Sequence, residues 1–267
     1  MAERVHISID ANVAEVTLNR ADKLNAVDVE MFEALGAAAD RIASDESVRA
    51  VVLSGAGGNF CAGIDLSVLA DADLDFTKAL DTPIAPSAAN LFQRAAYAWR
   101  ELPIPVVCAI EGVAFGAGLQ IALGADIRYA APGARFSIME AKWGIIPDMG
   151  ISTTLRHLVP PDRVKELSWS ARIFDSAEAL SLGLVTAVVE NPMAASRELA
   201  ADCAAKSPDA IRGIKSLVNQ AWQASEAESL ALEARLQGEI IGAENQLEAA
   251  TANLNSRKPV FKNWRGN

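Results

Sequence analysis

The chain has 267 residues, of which 51% are hydrophobic and 22% charged, enough apolar material for a sizeable core and too much for global disorder. With 24 Lys and Arg against 34 Asp and Glu the formal charge is −10, a surface that disfavours nucleic-acid backbones and anionic membranes as partners. Cys61, Cys108 and Cys203 stand far apart with no CxxC pair, so reduced thiols in a cytoplasmic protein are expected.

The opening MAERVHISID has no apolar run of the kind a signal peptide requires. Residues 15–18 (EVTL) and 50–54 (AVVLS) read as strands, the second ending at a glycine cluster over 55–58. Between them Met31, Leu35, Ala38 and Ile42 recur on one helical face, with Asn25 and Asp28 marking its start. Residues 71–81 are acidic and weakly patterned, a solvated loop or short helix. The stretch 71–86, with its two prolines, is expected to wall a pocket. Pro103 and Pro105 precede a third strand over 106–110, a helix over 116–123 follows a glycine loop, and 127–130 is a further strand. Strands alternating with helices imply an α/β core with crossover connections. The apolar stretches here are interrupted by Glu111, Gln120 and Asp126, short of the ~20 clean residues of a membrane span. Beyond Pro192 the chain is Ala-, Glu- and Leu-rich, with Leu230, Ala234, Gln237 and Ile241 at helical spacing. The division is therefore a core over 1–192 and a helical, amphipathic region over 193–267.

Several chemistries are excluded. The chain has no G-x-S-x-G, HExxH or Walker A pattern. Its two histidines, His6 at an end expected to fray and His157 in a Leu/Arg segment, read as structural, which leaves little for a Ser-His-Asp triad or a histidine metal site. The positive signal is two glycine loops, 59–66 (NFCAGIDL) and 111–120 (EGVAFGAGLQ). Either alone is what a tight strand-to-helix turn requires. Together they bring unhindered backbone N–H groups to strand ends, the second at the positive end of a helix. Two converging donors would form an oxyanion hole, in which losing one donor costs about 3–4 kcal/mol of barrier. A third constellation is 136–150 (FSIMEAKWGIIPDMG), where Glu140 sits among Ile138, Met139, Trp143, Ile145 and Ile146, with Asp148 eight residues on. Such a carboxylate has its pKa raised by desolvation, as a proton donor or acceptor needs. The structural alternative is an ion pair from Glu140 to Lys142 or Arg135, with Asp148 capping the next helix.

The strings KLNA (23–26), FCAGIDL (60–66), GVAFGAG (112–118), ADIRYA (125–130), ARF (134–136), WGIIP (143–147) and RKPVFK (257–262) together resemble the crotonase superfamily, the enoyl-CoA hydratase/isomerase family, over nearly the whole chain. The resemblance implies an α/β fold built as a spiral of ββα units, with a C-terminal helical trimerisation region and assembly as a homotrimer or dimer of trimers. It implies an acyl-CoA thioester substrate and no metal or redox cofactor, coenzyme A being part of the substrate. By position the oxyanion N–H groups belong to Ile64 and Ala117. Glycine is usual at the second place, so the alanine Cβ is expected to narrow the pocket. Lys23, Leu24, Ala26, Ala62, Asp65 and Leu66 match positions lining the coenzyme A groove. Phe261 and Lys262 match tail residues that reach coenzyme A, commonly from a neighbouring chain.

The acid–base positions separate the family's reactions. Hydratases carry two glutamates where this chain has Gln120 and Glu140. A glutamine orients a water or carbonyl but does not exchange a proton near neutral pH. Asp148 matches an aspartate of the dienoyl-CoA isomerase branch, whereas that branch has an aspartate in place of Gln120. The expectation is double-bond isomerisation by Glu140 and Asp148 rather than hydration by Glu140 alone. A non-catalytic acyl-CoA-binding protein is a second alternative. An RNA-binding role has only the basic cluster Arg257, Lys258, Lys262 and Arg265 in its favour.

Overall fold

A computed structural model describes residues 3–71 and 74–264. The chain begins with a hairpin, β1 (Val5–Asp10) and β2 (Val13–Leu18), turning through Ala11 and Asn12 at positive φ. His6 lies inside β1, opposite Thr17, and not in a frayed end. Helix α1 (Val29–Ser44) is capped by Asp28, whose side chain accepts from Met31 N. Asn25, expected to mark the helix start, is instead buried three residues upstream. There follow β3 (Ala50–Gly55), the short helices α2 (Leu66–Leu69) and α3 (Phe76–Asp81), and α4 (Leu91–Glu101), which carries an Asn90/Gln93 capping box. Next come β4 (Val106–Ile110), β5 (Val113–Phe115), α5 (Ala117–Leu123), β6 (Ile127–Ala130), β7 (Arg135–Ser137), α6 (Ile151–Thr154) and α7 (Pro161–Ser170). The chain closes with β8 (Phe174–Asp175), α8 (Ser176–Ser181), β9 (Ala187–Val188) and helices α9 (Pro192–Ala204), α10 (Pro208–Ala221), α11 (Glu226–Ile240) and α12 (Glu244–Leu254).

The strands form two sheets, a larger one ordered β1-β2-β3-β4-β6-β9 and a smaller one ordered β5-β7-β8. All pairings in the larger sheet after the hairpin are parallel. Successive passes of the chain place one strand in each sheet and then a helix: β4, β5 and α5, then β6, β7 and the turn toward α6. Cys61 joins the smaller sheet through a bridge to Ala114. The chain therefore winds as a spiral of ββα units.

Strand β4 and the first four residues of β3 are apolar because both faces are covered. Val51 and Leu53 point into the main core with Phe32, Phe60, Trp99 and Phe136, while Ala50 and Val52 meet Ala200 of α9 on the other side. Alternation along one strand thus assigns each residue to a layer. Helix α9, the first beyond residue 192, lies against β2, β3, β4 and β6. Among the described residues no helix is long and apolar enough to cross a membrane.

Candidate active site

The two glycine loops meet backbone to backbone. Cys61 N donates to Val113 O at 2.9 Å and Phe115 N to Cys61 O at 3.0 Å. A Cβ on Gly63, which has φ +101°, would stand 2.8 Å from Phe115 O and 3.9 Å from Ala117 N; one on Gly118 would stand 2.4 Å from Cys61 O. Only glycine permits this approach. The first loop is tied down by Asn25, whose amide donates to Ala56 O, Asn59 O and Phe60 O while its oxygen accepts from Arg20 N. Asn25 has φ 58°, a left-handed conformation that asparagine tolerates well. Ile64 and Ala117 come together on the wall of one cavity of 740 Å³, and among the described residues neither N–H has a hydrogen-bond partner. Ala117 is the first residue of α5, whose N–H has no acceptor within the helix.

Gln120, Glu140 and Asp148 line the same cavity. Glu140 opens a 3₁₀ turn after β7 and is 6% exposed. Its Oε1 accepts from Gln120 Nε2 at 2.6 Å, and Gln120 Oε1 accepts in turn from Met149 N at 2.9 Å. The second carboxylate oxygen, Oε2, is buried and without a partner among the described residues. Oε1 lies 3.3 Å from where a Gly116 Cβ would be, one residue from the Ala117 donor. Burial raises the Glu140 pKa, the Gln120 hydrogen bond opposes that rise, and the nearby Asp148 charge adds to it. Burial also raises Asp148, with no side-chain donor to oppose it. Neither Lys142 nor Arg135 pairs with Glu140, and the helix after Asp148 has Gly150 at its N-cap with no side-chain cap. Both structural alternatives for these carboxylates therefore fail.

The remaining expected residues divide. Ala62 and Leu66 also line the cavity. Lys23 and Leu24 sit on an exposed 3₁₀ turn beside it, joined to the first loop by Ala62 N donating to Leu24 O. Ala26 O accepts from Arg20 Nη1 at 3.0 Å. Asp65 caps α2, accepting from Ser67 N, and pairs with Arg20 at 2.7 Å. The Ser67 and Arg20 bonds hold its pKa down at about 2, so Asp65 fixes the loop as a permanent anion. Phe261 and Lys262 are not brought to this cavity within one chain. Phe261 O accepts from Arg49, Lys262 exchanges hydrogen bonds with Asn245, and its ammonium pairs with Glu244. Of the basic cluster, Arg257 is likewise paired, with Glu248, and Arg265 lies outside the described residues. The stretch 71–86 does contribute wall: Phe76 and Leu80 of α3.

Sequence reasoning missed Asn25 as a strap and Arg20 as the partner of both Asp65 and Asp28. It also missed Phe32 and Phe92 in the wall. Phe32 carried a usable signal, since it adjoins the apolar face of α1; the long-range bonds of Asn25 carried none. Among the described residues no group of three or more His, Cys, Asp or Glu side chains is placed to hold a metal.

A family model described as enoyl-CoA hydratase/isomerase matches residues 8–264. The chain is 33% identical to a short-chain-enoyl-CoA hydratase of Clostridium acetobutylicum, covering 95% of this chain and 96% of that one. It is 32% identical to the mitochondrial methylglutaconyl-CoA hydratase of Homo sapiens, covering 92% of this chain and 72% of that one. The crystal structure of an enoyl-CoA hydratase from Bacillus anthracis superposes with a TM-score of 0.88 at 28% identity, over 97% of this chain and 99% of that chain.

Proposed function

The chain belongs to the enoyl-CoA hydratase/isomerase family and has the crotonase fold, and from that premise we propose that it moves the double bond of an enoyl-CoA by a two-carboxylate proton shift. The observation that carries this reading is the division of labour in the cavity. Gln120 is occupied in holding Glu140, and the remaining ionisable side chain among the described lining residues is Asp148. Burial raises the pKa of both acids, and the Gln120 hydrogen bond fixes Glu140 Oε1 while leaving Oε2 free. Two neighbouring acids of this kind share one proton. In this reading Glu140, whose Oε2 has no partner among the described residues, is the base, and Asp148 is the acid.

In the forward step Glu140 Oε2 takes a proton from C2 of a 3-enoyl or 3,5-dienoyl thioester. The C–H electrons pass into the carbonyl, and the enolate oxygen is held by Ile64 and Ala117 N–H. Asp148 delivers its proton to the far end of the conjugated system, C4 or C6, as the new 2,3 double bond forms. A proton passing from Glu140 to Asp148 resets the pair. Each transfer is within the carboxyl pair and the substrate, so the balance requires no oxidant and no metal. Lys23, Leu24, Ala26, Ala62, Asp65 and Leu66 would border the coenzyme A moiety. Phe261 and Lys262 would meet it across a homo-oligomer interface.

Hydration is the second reading, favoured by relatives named as hydratases. There Glu140 alone would deprotonate water attacking C3 and return the proton to C2. The deciding experiment is a panel of 2-enoyl-, 3-enoyl- and 3,5-dienoyl-CoA substrates with product identification. Faster turnover of the 3-enoyl or dienoyl substrates supports the isomerase. Efficient hydration of crotonyl-CoA, insensitive to Asp148→Asn, supports the hydratase. Absence of turnover on every member leaves an acyl-CoA-binding protein.

A further inference from the structure

We propose that the acyl end of this site takes an uncharged hydrocarbon chain longer than four carbons and turns away acyl groups carrying a carboxylate. The proposal rests on the acyl-CoA reading above but not on the choice between isomerisation and hydration.

Three observations converge. The first is the wall. Phe76 and Leu80 stand one helical turn apart on α3, and Phe92 of α4 packs between Phe76 (5.9 Å, stacked) and Phe32 of α1 (5.0 Å, edge-on). All four line the cavity, and Trp143 and Ile146 line it as well. The second is the rim. Leu80, Trp143 and Ile146 are 42%, 42% and 75% exposed. Large apolar side chains left open and contiguous with a catalytic cavity mark a surface that an apolar ligand covers. The third is charge. Among the described lining residues the ionisable groups are Glu140 and Asp148, both acids. Lys142 stands over the Trp143 ring at 5.4 Å from its centroid and is not part of the lining. A carboxylate at the end of an acyl chain would enter this space without a cation to meet it and with two acids already present.

The size of the space leaves room for more than four carbons. A four-carbon acyl group has about five heavy atoms, and at roughly 30 Å³ each, a water's share of liquid volume, it fills about 150 Å³. The cavity measures 740 Å³, which leaves room for the thioester arm and for further methylenes. Each methylene buried from water adds roughly fourfold in affinity.

Saturated acyl-CoAs test this without any reaction. Full-length protein is titrated calorimetrically with butyryl-, hexanoyl-, octanoyl- and glutaryl-CoA. Octanoyl-CoA is expected to bind at least about tenfold more tightly than butyryl-CoA, or ~1.4 kcal/mol. Glutaryl-CoA, close in length to hexanoyl-CoA, is expected to bind at least about tenfold more weakly than it. Leu80→Lys, on an exposed turn of α3, should raise the glutaryl-to-hexanoyl ratio by at least about tenfold. Equal affinity for all four ligands overturns the proposal and leaves the acyl-CoA reading standing, as when a neighbouring subunit covers the apolar rim. Failure of all four to bind overturns both. An unchanged ratio in Leu80→Lys removes α3 from the wall and overturns the specificity argument.

Discussion

The strand core and the last three helices are stabilised by different forces. In the core, Phe32, Phe60, Trp99 and Phe136 are removed from water altogether, each worth about 1.5–3 kcal/mol on the area scale. Helix α11 buries no residue fully, and α10 buries only Pro208. These helices are held instead by ends and pairs: Lys215 of α10, which reaches Asp126 at 2.7 Å and donates to Ile104 O at 2.9 Å, the Ser225/Glu228 capping box, Arg235 with Glu239, and Arg257 with Glu248. Exposed ion pairs contribute little. Meanwhile Ile214, Trp222, Leu230 and Leu254 remain more than half exposed. The core is complete within one chain and encloses the cavity; the helical region leaves apolar side chains that a single chain does not cover. That is the observation behind the proposed trimer or dimer of trimers. Sedimentation at micromolar concentration should show the oligomer, and a monomer there would remove the assembly proposal.

The largest effect is expected at the centre of the core. Glu140→Gln should lower turnover by at least about a thousandfold, ~4 kcal/mol of barrier, because the base is lost while the backbone donors remain. Stability should move the other way with pH. The folded-state pKa of Glu140 is raised by burial, so the native protein binds that proton more tightly than the unfolded chain. Its contribution is therefore fully present below the unfolded value of about 4.3 and is lost as pH rises through the raised value. Glutamine does not titrate. The melting temperature of Glu140→Gln relative to the parent should thus be higher at pH 8 than at pH 4, and a pH-independent difference would contradict the burial argument.

Next in size is the contact between the two loops. Gly118→Ala places a Cβ 2.4 Å from Cys61 O, against backbone that has no rotamer to yield. A loss on the order of 3 kcal/mol in denaturant unfolding is expected, with activity falling in the protein that still folds. Gln120→Glu is smaller and more informative. It replaces the amide that donates to Glu140 at 2.6 Å with a second acid, so the two carboxyls must share a proton. Met149 N keeps its acceptor. Hydration of a 2-enoyl-CoA should rise by at least about tenfold, ~1.4 kcal/mol, while isomerisation falls. No gain in hydration would show that the missing second acid is not what limits that reaction here.

The two regions were also unequally legible. Strands β3 and β4 were readable because burial on both faces leaves the runs AVVLS and VVCAI. The smaller sheet was not, because β5, β7 and β8 are two or three residues long and their pairing comes from tertiary contact. Helix α4 carried signals that went unread, an Asn90/Gln93 capping box and an amphipathic face, although one position of that face is Arg94, a buried residue that pairs with Asp40 of α1. Within the site, Glu140 announced itself as a carboxylate in apolar company, and the glycine loops as places where backbone comes close. The apolar wall of the cavity is drawn from α1, α3, α4 and the turn at Trp143, and no local pattern relates those segments. Beyond residue 192 helical spacing was evident, yet the sequence pattern did not separate α9, which packs on the sheet, from α11, which does not.

The smallest predicted effect separates the two regions on a single chemical change. Gly238 lies inside α11, exposed, and a Cβ there would meet nothing within 4 Å. Its backbone is helical, so alanine adopts the same conformation without strain and reduces the freedom of the unfolded chain. Gly238→Ala should therefore stabilise by about 0.5–1 kcal/mol, where the same substitution at Gly118 destabilises. Activity should be unchanged, since α11 supplies no residue to the catalytic cavity. The sign carries the argument. If Gly238→Ala destabilises, another surface must press on that face of α11 in the assembled protein, and dilution below the assembly threshold should then restore the gain. If it stabilises in both states, that face is free in the oligomer, and the subunit contact must be sought on the faces that carry Leu230 or Trp222.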